Sequence, residues 1–161
     1  MVEYSFLDNF MLMKKTDEYM LGRIKWKFNK YKISNNYTFF FEELSPSIQA
    51  YLRTSIDEHL SGIPVIFFTK PSNEWTLLCT KQVLGYTDQK IFRINLQDIA
   101  VISPFLIRKS KGEWDELTVL DKQERSYVFH TYKGYAHNVL HNILLMCRQL
   151  SDHTETAALT K

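Results

Sequence analysis

Three groups of side chains in this sequence have the residue types and spacings from which chemistry could be built. His137 and His141 stand four apart, so on a helix both would face one ion. A zinc site needs at least one more ligand, and no Glu accompanies the pair as in a metalloprotease helix. They read as structural histidines, with no metal. Glu113, Asp115 and Glu116 surround Trp114, near Arg108 and Lys111. Paired carboxylates do acid–base work only in a concavity that separates their pKa values. On a loop among cations they read as a solvated or partner-binding edge. Ser103, His130 and Asp98 supply the residue types of a hydrolytic triad. No nucleophile elbow surrounds any serine, however, and no glycine-rich phosphate loop occurs. The expectation is a non-enzymatic protein without a cofactor.

A fourth group points to binding. Arg23, Lys25, Lys27, Lys30 and Lys32 are interleaved with Trp26 and Tyr31. A single-stranded nucleic-acid platform uses this mixture, charge for phosphates and rings for bases. Strict alternation over Arg23–Phe28 predicts a half-buried strand, with Ile24, Trp26 and Phe28 on one face and the cations on the other. On that geometry Trp26 points away from the cations, which argues against nucleic acid. Lysines on an edge strand also guard against aggregation. The net charge of +2 sets no strong field for nucleic acid, nor does it mimic one.

The elements that must position these groups follow from periodicity and punctuation. With 45% apolar and 14% aromatic residues over 161 positions, the chain can bury a substantial core as one domain. Residues 1–44 form an N-terminal extension in which Phe6, Leu7, Phe10, Met11 and Met13 suggest a short helix. Asn35-Asn36 marks a turn, and Tyr37–Phe41 reads as a strand returning beside Arg23–Phe28. Residues 45–62 predict a helix: Ser45 caps it, Pro46 suits its first position, and Gly62 and Pro64 stop it. Ile48, Leu52, Ile56 and Leu60 supply its stripe.

From 63 to 131 the period is two, interrupted by short polar turns. Strands are expected at 63–69, 74–80, 82–86, 90–94, 98–103, 105–109, 114–120 and 125–131, an antiparallel meander. A helix over 135–150 follows, with Val139, Leu140, Ile143, Leu144, Cys147 and Leu150 on one stripe. Residues 151–161 read as a fraying tail. Cys79 and Cys147 sit in apolar surroundings and read as buried free thiols. Met1–Met20 carries Glu3, Asp8, Asp17 and Glu18 where a secretory signal would be basic and then apolar, and no stretch is long enough to span a bilayer. A cytoplasmic location is expected.

A meander of about seven strands followed by one amphipathic helix resembles the plan of bacterial pleckstrin-homology-like and GRAM-type domains. The resemblance covers residues 63–150 and rests on Trp75-Thr76-Leu77-Leu78-Cys79-Thr80 before a hairpin, then Ile94-Asn95-Leu96-Gln97-Asp98-Ile99-Ala100-Val101-Ile102 leading into the next strand. It implies an α+β fold in which the sheet closes into a barrel or bends strongly, capped by the C-terminal helix. Lipid-binding members resemble one another in a basic cluster around the first strand, where this chain offers only Lys70. The size and style of the sequence also resemble bacterial immunity proteins that occlude the active site of a cognate toxin. The function expected is protein binding of that kind, with membrane-surface binding as the alternative. Arg23, Lys25, Lys27 and Tyr31, and Lys111, Glu113, Trp114 and Asp115, are the candidate contact residues.

Overall fold

The segment expected as the first strand is a helix in the structure, a computed structural model that describes residues 15–33, 35–103 and 113–159, with backbone alone for 152–159. Helix α1 spans Asp17–Asn29. Thr16 caps it, its hydroxyl accepting from the Tyr19 amide at 3.1 Å, and Asp17 and Glu18 meet the positive end of the helix dipole. Met20, Ile24 and Phe28, four apart, are its buried residues. Ile24 and Phe28 satisfy both a period of two and a period of 3.6, so a six-residue window could not separate strand from helix. Trp26 separates them: alternation would bury it, and it is 46% exposed.

No hairpin with 23–28 forms. Strand β1 (Thr38–Phe40) instead pairs antiparallel with β2 (Pro64–Thr69). A short 3-10 turn, Phe41–Glu43, follows β1. The helix expected over 45–62 is two helices, α2 (Pro46–Arg53) and α3 (Glu58–Ser61). Ser45 caps α2 as expected, accepting from Ile48. Thr54 ends it, its hydroxyl turning back to the Tyr51 carbonyl at 2.6 Å, and Asp57 caps α3 through the His59 amide. The break leaves Ile48 and Leu60 on the surface while Leu52 is fully buried.

Strands β2, β3 (Trp75–Cys79), β4 (Gln82–Thr87) and β5 (Lys90–Asn95) extend β1 into a five-stranded antiparallel sheet in chain order. A second sheet holds β6 (Ile99–Ser103), β7 (Glu116–Asp121) and β8 (Ser126–His130). The fold is α+β. Its strands divide between two sheets, and no closed barrel forms among the described residues. The strand expected at 105–109 and the helix expected within 6–13 lie outside those residues. Helix α4 runs from Tyr135 to Leu159, so the segment taken as a fraying tail continues the helix.

Two cores account for the sheet. Between the sheets, Ile66, Phe68, Leu78, Val83, Leu117, Val119 and Phe129 pack with Ile24 of α1 and with Val139, Leu140, Ile143 and Leu144 of α4. On the outer face of the larger sheet, Phe67, Trp75, Leu77, Cys79 and Leu84 pack under Phe41, Leu44 and Leu52. Alternate residues of β2 and β3 therefore enter different cores, which is why both strands read as unbroken apolar runs. Gly85 makes room for the inter-sheet contact. A Cβ there would lie 2.3 Å from the Phe92 ring, which packs on Phe129 with centroids 5.2 Å apart. Thr76 ties the sheets directly, its hydroxyl donating to the His130 carbonyl at 2.7 Å and accepting from the His130 amide at 3.1 Å.

Candidate protein-binding face

Among the described residues, helix α1 is packed on one side and uncovered on the other. Its buried residues lie in the inter-sheet core, and the Asp17 carboxylate fastens its start to the β3–β4 turn. Asp17 Oδ1 accepts from the Thr80 hydroxyl at 2.7 Å, and its Oδ2 lies 3.6 Å from Lys81 Nζ. Near its end, Phe28 packs on Phe40 with centroids 4.8 Å apart. The open side is thereby fixed in space. At 3.6 residues per turn it carries Lys15, Tyr19, Gly22, Arg23, Trp26 and Lys30, with Lys27 at one flank and Glu18 at the other. Glu18, one turn before Gly22, is the carboxylate that borders this side, and Asn29 is exposed beside Trp26 and Lys30.

Trp26 organises this side. The Arg23 guanidinium lies 4.5 Å from its ring centroid and Lys30 Nζ 3.7 Å, one cation from each adjacent turn. Arg23 Nε is covered and has no hydrogen-bond partner among the described residues, so the ring orients this guanidinium. Lys15 lies over Tyr19 in the same way, at 5.2 Å. Tyr19 and Trp26 are both more than two-fifths exposed. The helix places Trp26 beside the cations, reversing the strand geometry that argued against nucleic acid.

The other sequence candidates distribute differently. Lys25 pairs with Glu42 and lies over the Phe40 ring. Tyr31 packs against the core. Of the later loop, Lys111 and Arg108 lie outside the described residues and Glu113 is exposed. Trp114 and Asp115 turn inward. Trp114 meets the His137 ring edge-on at 5.5 Å, and the Asp115 carboxylate lies 3.3 Å from Lys70 Nζ. Two of the proposed contact residues are therefore parts of a structural junction. Beside it is a cleft of about 340 Å³ lined by Lys70, Ser72, Asp115, Thr131, Tyr132 and Lys133. Its main charges neutralise each other, and Tyr132 is engaged by stacking on Tyr37 at 4.4 Å. Of its hydroxyls, Ser72 donates to the Glu74 carboxylate and Thr131 to the Tyr132 carbonyl oxygen.

His137 is fully buried, its Nε2 3.0 Å from the Glu116 carbonyl oxygen. Asp98 accepts from Asn95 at 3.1 Å, and the charged neighbours of His130 are Lys70, Glu116, Glu74 and Asp115. Among the described residues no three His, Cys, Asp or Glu side chains gather as a metal set would. Cys79 and Cys147 are buried free thiols in separate cores, both pushed up to about 12 by burial. Burial keeps both thiols protonated and away from solvent. No helix among the described residues is long and apolar enough to cross a membrane.

Burial holds the pKa of His130, His137 and His141 below the ordinary 6.5. For His130 the Lys70 ammonium adds to this; for His137 burial outweighs the Glu116 carbonyl and the Asn138 side chain, which favour the charged form. The unfolded chain binds these protons first. Stability is therefore complete above pH 6.5 and falls as the pH drops below it through the lower folded values. Urea midpoints measured from pH 8 to 5 should show this fall, and substituting His130 and His137 with Gln should flatten it. An unchanged slope in the double variant would assign the acid sensitivity elsewhere.

Comparison of the chain with protein-family models, with curated proteins and with solved structures gave no match in any of the three.

Proposed function

We propose that this chain is a non-enzymatic protein-binding module whose contact surface is the open side of α1. One observation carries the reading: a rigidly backed helix offers two exposed rings with three cations held over them, and Glu18 as the carboxylate at its edge. Trp and Tyr anchor protein interfaces because they give large contact area at small cost in side-chain entropy, and the ring already orients the Arg23 guanidinium. The specific form proposed is an immunity protein, which covers the active site of a toxin domain. A convex basic face suits that role where the rim of the covered site is acidic. Seven strands in meander order, β2 to β8, followed by one amphipathic helix support reading the scaffold as pleckstrin-homology-like.

The test is capture of a partner by the tagged protein from its native source, then titration of the purified pair. A stoichiometric protein bound at nanomolar Kd, about −12 kcal/mol, with affinity that weakens as salt rises, is the expected result. Trp and Tyr among lysines also suit a membrane interface. Retention on phosphatidylserine vesicles without a stoichiometric protein partner would replace the proposal with that second reading.

A further inference from the structure

Gly22 occupies the middle of the open side, and nothing within the described fold requires a glycine there. It lies inside a regular helix, where glycine weakens the helix relative to alanine. Among the described residues no atom lies within 4 Å of where its Cβ would stand. The contrast with other glycines is direct. A Cβ on Gly62 would meet Thr80 Oγ1 at 2.1 Å and one on Gly85 would meet Phe92 at 2.3 Å, so those two positions answer to the chain's own packing. Among the described residues, Gly22 answers to open space. Tyr19 stands one turn before it and Trp26 one turn after, both exposed, which makes the position the floor of a notch between two rings.

We infer that an acidic segment of a protein partner crosses α1 at Gly22. This rests on the protein-binding reading above and names the chemistry of the partner. Absence of a Cβ lets the partner backbone approach the helix closely, with an apolar side chain seated between Tyr19 and Trp26. Carboxylates on either side of that side chain meet Arg23, Lys30 and Lys15. An acidic protein segment fits better than a nucleic acid for a geometric reason. Arg23 and Lys30 already lie over the Trp26 ring. A base would have to displace them to stack, whereas a carboxylate binds them where they are.

The experiment uses the full chain with ¹⁵N labelling and a short helical peptide as probe, bearing Ala and Leu on one face and Glu on both flanks. Shifts are expected at the Gly22 and Tyr19 amides and at the Trp26 indole. Gly22→Leu should weaken peptide binding at least about tenfold, the scale of one lost close contact. Gly22→Ala should raise the melting temperature by about 2–4 °C, since helix propensity improves in open space. A lower melting temperature for Gly22→Ala would show that the fold needs the glycine and would overturn the inference. So would cross-relaxation in the free protein between Gly22 and residues 1–14, because the chain would then fill the notch itself. If Arg23→Glu abolishes binding while Gly22→Leu leaves it intact, the crossing at Gly22 fails and the protein-binding face stands. If the peptide causes no shift at millimolar concentration, the crossing at Gly22 fails and the protein-binding reading is left to the capture experiment. If a single-stranded oligothymidylate or a phosphatidylserine vesicle displaces it from Trp26 at lower concentration, both readings fail together.

Discussion

Alanine at position 62 is expected to destabilise the protein by about 3–5 kcal/mol, the sum of three separate costs. Gly62 closes α3 with φ 76° and ψ −153°, a region open in practice to glycine alone. Its missing Cβ is filled by the Thr80 hydroxyl, which a methyl group would meet at 2.1 Å. That hydroxyl is itself engaged, accepting from the Ile63 amide at 2.9 Å and donating to Asp17 Oδ1 at 2.7 Å. Moving it releases the start of α1 as well as the entry to β2. A fall of about 10 °C in the melting temperature is the expected scale for a chain of this length, measured by circular dichroism. A fall of only a degree or two would mean that the Thr80 junction is soft and that Asp17 does not fasten α1.

Trp26→Ala should separate binding from stability. The ring is nearly half exposed and takes no part in either core, so the fold should melt within about 2 °C of the parent, as surface substitutions do. Binding should suffer far more. Removal of the ring deletes the central apolar contact and also frees Arg23 and Lys30, which it now holds in place. A central aromatic anchor carries about 2–4 kcal/mol, so affinity for the captured partner should fall by roughly 30- to 1000-fold. Calorimetric titration of the purified pair measures it. An affinity within twofold of the parent would place the contact surface elsewhere, with the exposed Ile48 and Tyr51 of α2 as the next surface to test.

Much of the scaffold was legible in local chemistry. Ser45 and Pro46 marked the start of α2, Gly62 the end of α3, and the polar turns placed β2 to β5 within a residue or two of their observed ends. Legibility failed where one short pattern served two periods. Ile24 and Phe28 fit strand and helix alike, and the decisive signals, Thr16 as cap and Met20 one turn earlier, lay outside the alternating window. The break at Thr54 also escaped, because a hydroxyl competing for a carbonyl leaves the apolar stripe unchanged. The candidate face was legible as composition but misplaced as geometry. Arg23, Trp26, Lys30 and, at its flank, Lys27 were named from the sequence; Lys15, Tyr19 and Gly22 were missed, and the joining of Trp26 to Arg23 and Lys30 needed the helix. The inward turn of Trp114 and Asp115 depended on His137 and Lys70, distant in sequence, and no local pattern announces such contacts.

The packing of α1 on α4 joins one of the first elements to the last, with a hundred or so residues between them. During synthesis at about 5–20 residues per second, the buried side of α1 would wait roughly 5–20 s for α4 to leave the ribosome. Over that interval Met20, Ile24 and Phe28 lack part of their final cover, and the inter-sheet core cannot close. The outer core, built from residues 39–86, can assemble before that time. Synthesis therefore lets the outer core close first and leaves the apolar residues of the inter-sheet core without their full cover until α4 emerges.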